Sequence, residues 1–167
     1  GPAITMATAI AKGSRMDFLL EKVAELGAAR VVPVLTERGV VQGSGEARRT
    51  HWQRRLREAC KQCGRNVVPE LADPATVEEL GELLAQSDLA LLFDLGPSAR
   101  PLADVLRDSP SAKTILCLIG PEGGFTEQEQ GRLTSAGAVP VRLAPTVLRI
   151  ETAAIAAVAA IVALAKA

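Results

Sequence analysis

Two hydrophobic rhythms alternate along the chain. Short apolar runs at Ile4–Ile10, Val31–Leu35, Leu89–Phe93, Thr114–Ile119 and Val139–Leu143 read as strands, and Val67-Val68 as a short one ending at Pro69. Between them, apolar residues recur every three or four positions, the spacing of a helix face. Met16, Leu19, Leu20, Val23, Ala24 and Leu26 form one such stripe, stopped by Gly27. Further helices are predicted over Arg48–Cys63 with Gly64 as its stop, Val77–Leu84, Leu102–Leu106, Thr126–Ala136 and Glu151–Ala165. Thr126 and Glu129 have the spacing of a capping box, and Gly137 follows that helix. Glu37–Val41 reads as a strand extension or edge piece. Gly43-Ser44-Gly45 and Gly96–Arg100 read as flexible loops. The βαβα order implies an α/β fold in one domain, a parallel sheet with helices on both faces.

Composition narrows the class. The chain has 167 residues, 48% hydrophobic, with 19 basic against 19 acidic side chains, which fits a globular domain and excludes a wholly basic nucleic-acid coat. Three cysteines make no disulfide framework, so a reducing, cytoplasmic compartment is expected. The longest uncharged run, between Glu151 and Lys166, is shorter than the roughly 20 residues of a membrane span and is rich in Ala; no membrane association is expected. Gly1-Pro2 is what a common protease leaves after tag removal and is set aside, leaving residues 3–167 as the domain.

Ligands of parallel sheets bind beyond the carboxyl ends of the strands. Three loops occupy such places: Asp94-Leu95-Gly96-Pro97, Gly120-Pro121-Glu122-Gly123-Gly124 and Ala144-Pro145-Thr146-Val147-Leu148-Arg149. The second offers close backbone approach and the free N–H groups of a helix start, but lacks the dinucleotide and P-loop fingerprints. Glu151 sits where the helix dipole favours a carboxylate, and Arg149 either pairs with it or faces a ligand. The helix carrying Arg48, Arg49, Arg54, Arg55, Arg57 and Lys61, with Arg65 after it, is either a phosphate-binding patch or a solvated face. Trp52 either packs or stacks on a base. Cys60-x-x-Cys63 has no second pair, so no zinc or other metal site is expected, and His51 reads as a surface residue.

The motifs together resemble the RsmE family. Its blocks appear in order as Lys12-Gly13-Ser14-Arg15-Met16-Asp17, Glu21–Gly27, Thr36-Glu37-Arg38 with Val40-Val41, Glu58–Arg65, Ile119–Phe125 and Leu148–Ala154. The resemblance spans nearly the whole chain. It implies an S-adenosyl-L-methionine-dependent enzyme that methylates N3 of one uridine in 16S ribosomal RNA near the decoding centre. It also implies a homodimer and a SPOUT-type, mostly parallel sheet with a C-terminal trefoil knot; periodicity alone implies an open, unknotted sheet. The family's N-terminal PUA-like RNA-binding barrel is absent from this sequence, as in a truncated chain. Leu143-Ala144 stands where members often have Leu-Gly.

Carried onto this chain, the implied cofactor contacts are Leu118, Ile119, Gly120, Pro121, Glu122, Gly123, Gly124, Leu143, Val147, Leu148 and Arg149. The implied RNA contacts are Lys12, Arg15, Arg38, Arg48, Arg49, Arg54, Arg55 and Arg65. In methyl transfer to uridine N3 the ring loses a proton and its oxygens gain charge. Arg149 is the candidate for stabilising that charge, and Glu151 for orienting Arg149 or accepting the proton. Two rival readings are a non-catalytic RNA-binding module of this fold and an α/β enzyme using another nucleotide, such as a nicotinamide cofactor.

Overall fold

The computed structural model describes residues 1–42 and 45–165, so Gly43 and Ser44 of the predicted Gly-Ser-Gly loop lie outside the described residues. The elements run β1 (Ala3–Ala9), α1 (Ser14–Leu26), β2 (Arg30–Leu35), α2 (Glu46–Cys63), β3 (Glu70–Leu71) and β4 (Ala75–Thr76). A 3₁₀ turn (Glu78–Leu80) then leads into α3 (Gly81–Gln86), β5 (Leu89–Phe93), β6 (Arg100–Pro101), α4 (Leu102–Asp108), β7 (Thr114–Ile119), α5 (Glu127–Ser135), β8 (Val139–Arg142) and α6 (Ile150–Leu164). The strands form one sheet in the order β3-β2-β1-β7-β5-β8-β6, with β4 also on β2, and every pairing among the described residues is parallel.

Alternation along the central strands explains why their apolar runs are unbroken. On β7, Ile115, Cys117 and Ile119 enter a core shared with α1, α2, α4 and α6, whereas Leu116 and Leu118 enter a second core with α3 and α5. Leu89 and Leu91 of β5 join the first core, and Ala90 and Leu92 the second. On the first face α1 buries Met16, Leu19, Leu20, Val23 and Ala24. Buried Ala153, Ala154 and Ala157 let α6 lie close to its neighbours, α1 among them.

The structure corrects three local expectations and settles a fourth residue, Trp52, in favour of packing. Glu37–Val41 is a turn, because the Gln42 amide donates to the carbonyls of Thr36 (2.9 Å) and Gly39 (2.8 Å). Val67 and Val68 are exposed and outside any strand; pairing begins at Glu70, whose N–H reaches the Ala29 carbonyl at 3.0 Å. Ala75–Thr76 and Arg100–Pro101, unmarked by any apolar run, are short strands. Trp52 is 3% exposed inside the first core, which removes it from any base-stacking role.

Candidate functional site

The three loops that follow β5, β7 and β8 converge on one cavity of about 220 Å³. Ile119, Gly120, Pro121, Glu122, Gly123, Gly124, Leu143, Val147 and Leu148 all line it, as do Asp94, Leu95, Ala144 and Thr146. Two expected contacts do not. Leu118 is fully buried in the second core, because strand alternation turns it away from its neighbour Ile119. Arg149 is the exposed N-cap of α6 and lies outside the lining. Sequence reasoning missed Phe93, Phe125, Gln130, Val141 and Ala153 as lining residues; Phe93 ends β5 and Val141 pairs with it, so strand register was the signal for both.

The glycine-rich loop is shaped by contacts on both sides. A Cβ on Gly120 would lie 3.0 Å from the Phe125 ring and 3.1 Å from its backbone nitrogen. Gly124 adopts φ +76°, open to glycine without strain, and donates its N–H to the Pro121 carbonyl at 2.8 Å. The loop ends in the expected capping box. Thr126 Oγ1 accepts from the Glu129 N–H at 3.2 Å, and Glu129 Oε2 from the Thr126 N–H at 2.9 Å.

Glu129 also has a distant partner that the motif did not reveal. Its Oε1 accepts the Glu37 N–H at 2.8 Å, which fixes the turn after β2 beside the glycine-rich loop. From that turn Arg38 Nη1 donates to the Gly123 carbonyl at 2.9 Å. On the other wall, Asp94 Oδ2 accepts the Gly96 N–H at 3.1 Å. The cavity therefore joins apolar walls and backbone polar groups to an acidic rim at Asp94 and Glu122.

Of the two candidate catalytic residues, Arg149 has an exposed side chain with no hydrogen bond or ion pair among the described residues, its carbonyl alone accepting the Ala153 N–H at 2.9 Å, whereas Glu151 is 8% exposed. Glu151 Oε2 is wholly buried, accepts no hydrogen bond, and lies 3.9 Å from Arg15 Nη1. The same Arg15 nitrogen stands 3.3 Å from Glu122 Oε1. Glu151 is thus paired with Arg15 and not with its neighbour in sequence.

The basic residues divide by place. Lys12, Arg15 and Arg38 follow the ends of β1 and β2 on the cavity side. Arg48 is exposed in the first turn of α2. Arg49 bonds Asp73 and the Leu71 carbonyl (3.0 Å), and Arg65 bonds the carbonyls of Ala24 (2.6 Å) and Ala28 (3.2 Å). Arg55 lies 3.6 Å from Asp17 and 3.9 Å from Glu58, and Arg54 lies 3.8 Å from Glu58. Arg49, Arg55 and Arg65 thus tie the first face together. His51, expected at the surface, is half-buried, with Nε2 2.9 Å from both Asp17 oxygens. Cys60 is buried, which pushes its thiol up, while Cys63 is exposed.

The model of the RNA methyltransferase domain family matches residues 1–162. Ribosomal RNA small subunit methyltransferase E of Bacillus subtilis is 30% identical over 165 residues, covering 95% of this chain and 64% of the relative. The Synechocystis protein of the same name is 35% identical over 162 residues, covering 96% of this chain and 53% of the relative. A crystal structure of the Neisseria gonorrhoeae protein of that name, bound to S-adenosyl methionine, matches with a TM-score of 0.84 at 36% identity, covering 98% of this chain and 67% of that one. The chain therefore spans between about half and two thirds of these relatives. It belongs to the RNA methyltransferase domain family.

Proposed function

We propose that this chain is the catalytic domain of an S-adenosyl-L-methionine-dependent enzyme that methylates N3 of a uridine in 16S ribosomal RNA near the decoding centre. The observation that carries this reading is the single cavity built from the three loops, with Gly120–Gly124 at its centre. Its residues fit such a cofactor. Apolar walls suit an adenine ring, close backbone suits its polar edge, and the Asp94–Glu122 rim suits a sulfonium and an ammonium group. The similar structure bound to S-adenosyl methionine and the shared name of the relatives support the same reading.

S-adenosylmethionine supplies a methyl group on a cationic sulfur, and transfer is an in-line displacement governed by positioning. Ile119, Gly120, Pro121, Gly123, Gly124, Leu143, Val147 and Leu148 hold the cofactor. Arg149, exposed and uncommitted, turns to the base and stabilises charge on the uridine oxygens. Glu151 accepts the N3 proton. Lys12, Arg38, Arg48 and Arg54 meet the RNA backbone. The reading includes homodimerisation, action in the cytoplasm and a trefoil knot.

Calorimetric titration with S-adenosylmethionine and, separately, NADH tests the cofactor. Saturable binding of the first alone is expected; binding of NADH alone sinks the reading. For catalysis, Arg149→Ala should lower turnover on unmethylated small ribosomal subunits by roughly 10²-fold, the scale of one charge-stabilising donor, with cofactor affinity kept. Unchanged turnover removes Arg149 from the mechanism.

A further inference from the structure

Glu151 carries a charge in an unusual place. Its side chain is 10% exposed, and Oε2 is screened from solvent without a hydrogen-bond donor. A carboxylate so buried is costly unless a cation compensates it. Arg15 supplies the only ion pair made by Glu151 among the described residues. One guanidinium nitrogen faces Glu151 Oε2 at 3.9 Å and Glu122 Oε1 at 3.3 Å. The first turn of α1, the glycine-rich loop and the first turn of α6 therefore meet on a single positive group.

We infer that Arg15 is a positioning residue for Glu151. Its charge holds the buried carboxylate in place beside the glycine-rich loop, ready to receive a proton from the substrate. The inference rests on the proposed role of Glu151 as proton acceptor. In that step the N3–H bond breaks and the proton passes to a Glu151 oxygen. The nitrogen pair forms the N–CH₃ bond, and the S–CH₃ pair stays on sulfur. Arg15 thereby leaves the set of RNA-backbone contacts and joins the catalytic apparatus through Glu151. Because the contact runs through one nitrogen at these distances, and not through a two-pronged fork, a lysine ammonium can replace it.

The test is a double-mutant cycle on the wild-type chain, Arg15→Gln, Glu151→Gln and the double variant, with Arg15→Lys as the conservative control. Two quantities are measured. One is the urea midpoint of unfolding; the other is methyl transfer from labelled S-adenosylmethionine to unmethylated small ribosomal subunits, as kcat and KM. Arg15→Gln should lower kcat about tenfold, part of the 10²–10⁴-fold that a positioned base supplies, with KM for RNA unchanged. Arg15→Lys should restore most of it. In the Glu151→Gln background, removing Arg15 should change kcat no further and the urea midpoint only by the small part that its exposed contact with Glu122 carries. Additive losses in both quantities, or a rise in KM alone, overturn the inference and make Arg15 a phosphate contact. A fully active Glu151→Gln enzyme overturns the role of Glu151 instead, and the inference falls with it. No transfer by the wild-type chain overturns the proposed function itself.

Discussion

Gly120 and Gly123 sit three positions apart in one loop, yet the structure gives them different duties. A Cβ at Gly120 would press on the Phe125 ring and backbone, and Phe125 is fixed in the second core at 5% exposure. A Cβ at Gly123 would meet only the Arg38 aliphatic chain at 3.6 Å, an ordinary contact. Gly120→Ala should therefore destabilise the fold by about 1–3 kcal/mol, the usual cost of overpacking, and move the cavity wall with Phe125. Cofactor affinity, read by calorimetry, should drop about tenfold, roughly 1.4 kcal/mol. Gly123→Ala should leave stability within about 0.5 kcal/mol of the wild type. Equal effects of the two substitutions would show that the Gly120–Phe125 contact does not shape the site.

At the scale of elements, α1 ends with no basic residue in its last turn; the Gly27 cap answers the Val23 and Ala24 carbonyls, and a side chain that follows another helix adds to it. Arg65, one residue beyond the Gly64 cap of α2, bonds the carbonyls of Ala24 and Ala28 and joins the ends of two packed helices. Arg65→Ala should cost about 1–2 kcal/mol in denaturant unfolding, the range for charge-assisted hydrogen bonds that are half solvated. It should leave the salt dependence of RNA binding unchanged; a flatter salt dependence would return Arg65 to the phosphate contacts.

This residue also marks a limit of periodicity. The stripe of α2 shows which residues are charged but not which carboxylates and carbonyls await them on other elements. The partners of Arg49, Arg55 and Arg65, which are Asp73, Asp17, Glu58 and backbone carbonyls, lie beyond what that stripe can show. The strands β5 and β7 were legible to the residue, because burial on both faces demands an unbroken apolar run. The pairs at Ala75–Thr76 and Arg100–Pro101 are strands only because β2 and β8 lie beside them. The site was legible at its loops, which follow strand ends. Its Arg15–Glu151 and Glu37–Glu129 links were not, because they join segments far apart in sequence.

For the whole molecule, β7 is the strand on which both cores depend, and Cys117 lies at its middle. It pairs with Met6 of β1 and Leu91 of β5 and is completely buried. Burial alone pushes its thiol far above the ordinary value of 9.0, so the folded protein keeps a proton that the unfolded chain releases. A group raised in this way stabilises the fold fully below pH 9.0 and loses that contribution as the pH climbs past it. Unfolding free energy should fall by about 1 kcal/mol over the first pH unit above that point, the slope then approaching about 1.4 kcal/mol per unit. The chain contains no tyrosine, so no phenol titrates nearby. Lys22, held up by hydrogen bonds to Glu21 and Glu25, adds a loss in the same direction, as does the Cys60 thiol. Both contributions are common to the wild type and a Cys117→Val variant, whose similar volume suits the core. Urea unfolding of the two proteins should run parallel below pH 9 and separate above it, with the variant flatter. Because Cys117 reaches water only when β1, β7 and β5 part, the difference reports opening of the entire sheet. Curves that stay parallel through pH 10 would mean that β7 opens locally, and that the two cores do not unfold as one.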